Sequence, residues 1–266
     1  MKLSEIIGAS SLTEGTAKGS EGLNVVSQNV EDAIALLNKH CKQALWMLDE
    51  DRPIYRGENH IAVTVDKTGF ALVDTLLSKR VSENTSNFYT LIFDNHPGRT
   101  RFPKRSQSLI CSTDKSKADE YGKSLIVIPF DGTKIGIVNR TDMWDTPMTF
   151  LGNRRSLNNL NRIFSYLELD EFDWNSIVEF DKKLKAGDQG ALEQLEAVSQ
   201  EFGFTTDEIK TKFLESILDA YSAKRTGHTA ATTATMSHKI SSEVWVGGKV
   251  MLIQPEMWQA LLKARN

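Results

Sequence analysis

Glu243-Val-Trp-Val-Gly-Gly-Lys-Val-Met-Leu-Ile253 is the stretch on which the reading of this chain turns. Valine, tryptophan and isoleucine fit a pleated, half-buried surface, so the run predicts strand. It follows a long polar segment, Thr226 to Ser242, which by composition is a flexible loop. Glu243 therefore stands at the first residue of a strand, at the mouth of a loop. A carboxylate there is poorly placed for core packing. It is well placed to meet a developing positive charge. The plainer reading is a solvated edge residue.

Two earlier segments offer partners for Glu243. The first is Ile54-Tyr-Arg-Gly57, a short strand entered after Pro53 and closed by glycine. Arg56 is either a phosphate clamp, which its planar fork suits, or an edge residue with a snorkelling head. Gly57 is either a turn or a place where a flat ligand approaches the backbone. The second segment is Ile110-Cys-Ser-Thr-Asp114, a strand end that feeds a helix. Ser112 and Thr113 can cap that helix or face a pocket, and Thr113 or Asp114 can cap while Ser112 faces inward.

The whole chain sets limits on these local readings. It has 266 residues, 40% hydrophobic and 25% charged, which is ordinary globular composition for one large domain or two small ones. A formal net charge of -3 gives no global pull toward nucleic acid or anionic lipid. The two cysteines, Cys41 and Cys111, do not form a secreted framework and read as reduced thiols. The five histidines are scattered, so no metal is expected. No apolar run approaches the roughly 20 residues that span a bilayer, so no membrane partner is expected.

Along the chain, residues 1–22 are rich in Ser, Gly, Thr and Glu and read as a flexible tail. A helix is predicted from about Val25 to Leu48, ended by Asp49-Glu-Asp-Arg-Pro53. His60–Val65, Phe88–Phe93, Ser108–Cys111, Leu125–Phe130 and Ile135–Val138 are candidate strands. A helix after Thr113 or Asp114 should end at Gly122, with Ala118 and Tyr121 on its inward face. From about 153 to 222 the pattern turns helical, through Leu157–Leu167, Leu192–Val198 and Ile209–Leu218, and reads as an insertion into a β domain. A last helix is predicted over Pro255–Ala264. Arg99, Arg101, Lys104 and Arg105 read as a solvated basic loop, with a phosphate-facing or RNA-facing loop as the alternative.

Taken together, Tyr55-Arg-Gly57, Cys111-Ser-Thr-Asp-Lys-Ser-Lys-Ala-Asp-Glu-Tyr-Gly122, Leu125-Ile-Val-Ile-Pro-Phe-Asp-Gly132 and Glu243-Val-Trp-Val resemble, in this order, the ADP-ribosyltransferase superfamily of the Arg-Ser-Glu type. The resemblance covers about 53–150 and 225–254. It implies an α+β fold, a split β-sandwich core with an N-terminal helix and a helical insertion, occupying 23–266. It implies NAD as the substrate, bound between the sheets, and no metal. Arg56 would hold a phosphate of NAD, Gly57 the nicotinamide amide, and Ser112 with Thr113 the ribose side of the site. Ser112 would also position Glu243, the catalytic residue. The chemistry is that of glycoside cleavage, in which a carboxylate and bonds to the 2-hydroxyl strengthen toward the transition state. Members that modify arginine usually carry Glu or Gln two residues before the catalytic glutamate, and here Ser241 stands there. The acceptor is then a host protein or RNA, or water in plain NAD hydrolysis.

Met1–Glu14 also resembles the capsid-targeting leaders of internal head proteins of T-even-like bacteriophages, with Leu12-Thr-Glu-Gly15 as a cleavage site after Glu14. That resemblance implies a place in the virion interior and then in the host cytoplasm. The alternatives are a bacterial toxin of the same chemistry and a non-catalytic head protein on a decayed transferase fold.

Overall fold

The computed structural model describes residues 23–24, 30–59, 65, 69–77, 79–81, 86–140, 143, 146, 148–150, 153–237 and 241–265. The N-terminal tail with its leader, and most of the strand expected over His60–Val65, lie outside the described residues. The architecture is mixed α+β, built around a large antiparallel sheet. The chain divides into two compact units. One comprises 1–80, 101–141 and 229–266, and the other 81–100 and 142–228.

The first unit carries the sheet. Across it the order is Leu23–Asn24 (β1), Phe70–Asp74 (β3), Lys249–Ile253 (β11), Ser124–Pro129 (β5), Ile54–Gly57 (β2), Leu109–Ser112 (β4), Glu243–Gly247 (β10), Lys134–Ile137 (β6) and Thr229–Thr232 (β9). Every described neighbour pair is antiparallel. The pairing is uneven, however. β2 meets β5 at four register pairs but meets β4 at one, Tyr55 opposite Ser112. The ladder is thinnest there, and two well-paired halves flank it.

The run Glu243–Ile253 crosses between those halves. β10 pairs with β4 and β6 on one side, and β11 pairs with β3 and β5 on the other. The two strands follow each other in sequence yet do not form a hairpin. Gly248 makes the crossing, with φ of +137°. Its N–H donates to Thr75 Oγ1 at 2.7 Å, and its carbonyl accepts from Thr75 N–H at 3.1 Å. A side chain at such φ is strained.

The core of this unit explains the strand textures. β5 is buried along its whole length, so it reads as a continuous apolar run rather than an alternation. Ile54, Cys111, Val127, Val244, Val246 and Leu252 join one buried cluster with Ala33, Leu37, Met47 and Trp258 from the flanking helices Val30–His40 (α1), Leu45–Asp49 (α2) and Pro255–Arg265 (α10). Trp258 Nε1 donates to Asp51 at 3.0 Å, which ties the last helix to the end of α2. The helix expected from Val25 to Leu48 is two helices joined by a 3-10 turn over Lys42–Ala44. Cys41 and Cys111 are buried thiols. Burial pushes the Cys41 thiol up to about 12, so it stays a neutral packing residue.

The second unit is mainly helical: Phe88–Asn95 (α3), Leu157–Tyr166 (α5), Trp174–Ala186 (α6), Gln189–Phe202 (α7), Thr206–Ala220 (α8) and Ala223–Thr226 (α9), with a hairpin of Met148–Phe150 (β7) and Asn153–Arg155 (β8). Ser156, Asp173 and Asp188 cap α5, α6 and α7, and Gly187 and Gly203 end α6 and α7 in left-handed conformation. α8 is kinked at Lys212, and buried Asp181 of α6 accepts the Leu214 N–H there at 3.0 Å. Phe88, which stacks edge-on against Phe164, belongs to a helix and not to the strand expected over Phe88–Phe93. Six consecutive buried residues carry no period that separates helix from strand. α6 had no sequence signal of its own. Among the described residues, no helix is long and apolar enough to cross a membrane.

Replacing Gly248 by alanine should cost about 1–3 kcal/mol, because the crossing needs positive φ. Urea unfolding of the variant beside wild type measures this, and an unchanged midpoint would contradict it.

Candidate active site

Three neighbouring strands of the first unit carry the residues singled out in the sequence. Glu243, the first residue of β10, lies directly opposite Ser112, the last residue of β4. Ser112 in turn lies opposite Tyr55 of β2. Directly opposed residues share a face, with Cα atoms about 5 Å apart at each step. Tyr55, Ser112 and Glu243 therefore form one row across the thin point of the sheet. Arg56 follows Tyr55, so period-two alternation starts its side chain on the other face of β2. Its length brings it back to the junction. Nη1 donates to the Ile110 carbonyl of β4 at 2.8 Å, and Nη2 lies 3.4 Å from Glu58. Arg56 is thus a second link between β2 and β4.

Gly57 is required by packing. A Cβ there would lie 1.8 Å from the Ala118 carbonyl oxygen of Lys115–Asp119 (α4). This short helix contacts β2, β4 and β5, and so lies over the junction. Ala118 is buried against it, as expected. Tyr121 is 67% exposed, against the expectation that it would share the inward face. The helix stops at Asp119, and the turn that follows carries Tyr121 outward.

The end of β4 and the start of β10 are laced together beyond their ladder. Thr113 N–H donates to the Ser242 carbonyl at 2.9 Å, and Ser242 N–H donates to Thr113 Oγ1 at 2.8 Å. Ser241 Oγ donates to Asp114 Oδ2 at 2.9 Å, while Asp114 Oδ1 accepts the Ser116 N–H and caps α4. Ser241 has φ of +64°, a left-handed conformation. Ser112 Oγ accepts the Asp114 N–H at 3.0 Å. Thr113, expected on the NAD side, turns its hydroxyl to the backbone that precedes Glu243. Part of the polar segment expected to be loop is strand β9, and Ser242 and Thr233 within it are buried.

Sequence reasoning missed Arg105. The loop before β4 was expected to be solvated, and Arg101 and Lys104 are indeed exposed. Arg99 and Arg105 are each only 4% exposed. Within the helical unit, Arg99 lies over the Phe93 ring and donates to the Tyr221 carbonyl and to Thr226. Arg105 forms an ion pair with Glu243, Nη1 to Oε1 at 2.8 Å, and its guanidinium sits over the Trp245 ring. Trp245 is held in place from two sides. Its Nε1 donates to the Pro103 carbonyl, and Gly136 leaves room for it, since a Cβ there would lie 2.1 Å from the ring. A buried carboxylate paired with a buried arginine is unlike the solvated edge residue that composition alone would allow.

Tyr55 is the other residue whose place was not foreseen. Burial, and then the charges of Asp51 and Asp119, raise its phenol, which therefore stays protonated as a neutral hydrogen-bonding group. Among the described residues no cluster of three or more histidines, cysteines or carboxylates could hold a metal ion. Comparison with protein-family models, with curated proteins and with solved structures gives no match.

The Ser241 hydroxyl, and then bonds from the start of α4, hold Asp114 below the ordinary carboxylate value of 3.8. A depressed carboxylate contributes stability above that value and loses it as pH falls through the depressed range. Asp114→Ala should therefore lower stability at pH 7 by about 1 kcal/mol through the lost cap. The gap to wild type should shrink as pH falls below 3.8. Urea midpoints across the acid range test this, and a gap that stays constant would contradict it.

Proposed function

We propose that this chain is a mono-ADP-ribosyltransferase that cleaves NAD at the nicotinamide–ribose bond and transfers ADP-ribose to a host macromolecule. The observation that carries this reading is the register that sets Glu243 directly opposite Ser112, next to the strand of Arg56. The finer architecture belongs to the same proposal. The single pair between β2 and β4 fits a split β-sandwich in which the substrate lies where the halves part.

In this reading NAD is the substrate. Glu243 accepts a bond from the 2′-hydroxyl of the nicotinamide ribose, and its charge stabilises the oxocarbenium ion as it forms. The C–N bond breaks, and its electron pair leaves with nicotinamide, which becomes neutral. The acceptor nucleophile then bonds to C1′ and releases its proton to solvent. Ser112 sets the height of Glu243 through the strand register. Arg56 would turn from the Ile110 carbonyl toward a phosphate of NAD, a site its fork geometry suits. The Gly57 backbone would bond the nicotinamide amide. Thr113 acts from behind, by holding Ser242. Ser241 is bonded to Asp114 and so serves the scaffold, which leaves selection of a protein or RNA acceptor to other residues. The setting, a phage head and then a host cell, rests on the leader resemblance over Met1–Glu14.

Nicotinamide release by the purified full chain tests this reading. Glu243→Gln should lower kcat by at least about 100-fold while the protein stays folded. Arg56→Ala should weaken NAD binding measured by calorimetry. Wild-type protein that releases no nicotinamide, or Glu243→Gln with wild-type turnover, would overturn the proposal.

A further inference from the structure

We infer that Arg105 is the positioning residue of the Glu243 carboxylate, holding it in place for NAD cleavage; this rests on the function proposed above. Both partners are buried, with side chains 5% and 11% exposed, and their closest atoms are 2.8 Å apart. An ionised group at that depth is costly to desolvate and persists where a partner compensates it. Arg105 is such a partner. The residue itself is fixed on its own side. It lies in the short 3-10 turn Arg105–Gln107, between exposed Lys104 and buried Ser106, and its guanidinium rests over Trp245.

The surroundings give the pair a rigid frame. Trp245 is two residues beyond Glu243 on β10, so both side chains leave the strand on the same face. Phe102 stacks on Trp245 with ring centroids 5.9 Å apart, and Pro103 accepts its indole N–H. One loop, 102–105, therefore grips β10 at Trp245 and Glu243 together. A carboxylate offers about four acceptor sites, enough to hold a guanidinium and a sugar hydroxyl at once. Arg105 approaches through Oε1.

This role differs from gripping the substrate. A positioning residue acts on the bond-breaking step and leaves NAD affinity alone, whereas a phosphate contact acts on affinity. Steady-state nicotinamide release by the full chain separates the two. Arg105→Gln should lower kcat by at least about tenfold with KM for NAD changed less than about twofold, and Arg105→Lys should recover part of the loss. Because a buried carboxylate that loses its counter-ion destabilises, urea unfolding of Arg105→Gln, Glu243→Gln and the double variant should show coupling, the double variant being more stable than the single losses sum to. An unchanged kcat in Arg105→Gln, or a raised KM at wild-type kcat, overturns the positioning role while the proposed function stands. Wild-type protein that releases no nicotinamide overturns both.

Discussion

A single register pair, Tyr55 opposite Ser112, joins the two halves of the sheet, and the arrangement of this unit follows from it. One backbone pair and the Arg56 bond to Ile110 each contribute about 1 kcal/mol net. The junction is therefore weak by itself. What holds it is the packing around it. Gly57 admits the backbone of α4, and Asp114 caps that helix at the end of β4. On the far side, β10 and β11 cross from one half to the other through Gly248, so neither half can move without drawing on the other's strand.

The charges around this junction are arranged at depth. Glu243 and Arg105 are buried together, and Arg105 rests on an aromatic ring that the same loop secures. Such a pair is a poor source of stability, since desolvating both groups offsets most of their attraction. Its value lies in orientation. The bonds that Ser242 N–H and Ser241 Oγ donate to Thr113 and Asp114 serve the same end just before Glu243. Glu243 is thus fixed by register, by its flanking serines and by its counter-ion.

Much of the sheet was legible in the sequence because strand texture depends on local pattern. Ile54–Gly57, Ser108–Cys111, Leu125–Phe130 and the Glu243 run all form strands near the expected bounds. The last run divides at Gly248, since two successive glycines permit a crossing that composition alone does not distinguish from a continuous strand. Phe88–Phe93 was misread because a uniformly apolar segment has no period, and the helix there is decided by what packs on both sides. Arg105 was misread for a different reason. A basic loop looks solvated until the fold brings a buried carboxylate to it, and that partner is remote in sequence. The Thr113 hydroxyl, which the sequence leaves open as a cap or a pocket group, accepts the Ser242 N–H, a contact set by the register between β4 and β10.

Hydrogen exchange of the full chain with and without NAD tests the central claim most directly, because it reads the junction residue by residue. Exchange should slow in the presence of NAD over Tyr55–Glu58, Ile110–Asp114 and Ser241–Val244, with the helical unit unchanged. Exchange unaltered at those three segments by saturating NAD, or slowed only within residues 157–226, would contradict it.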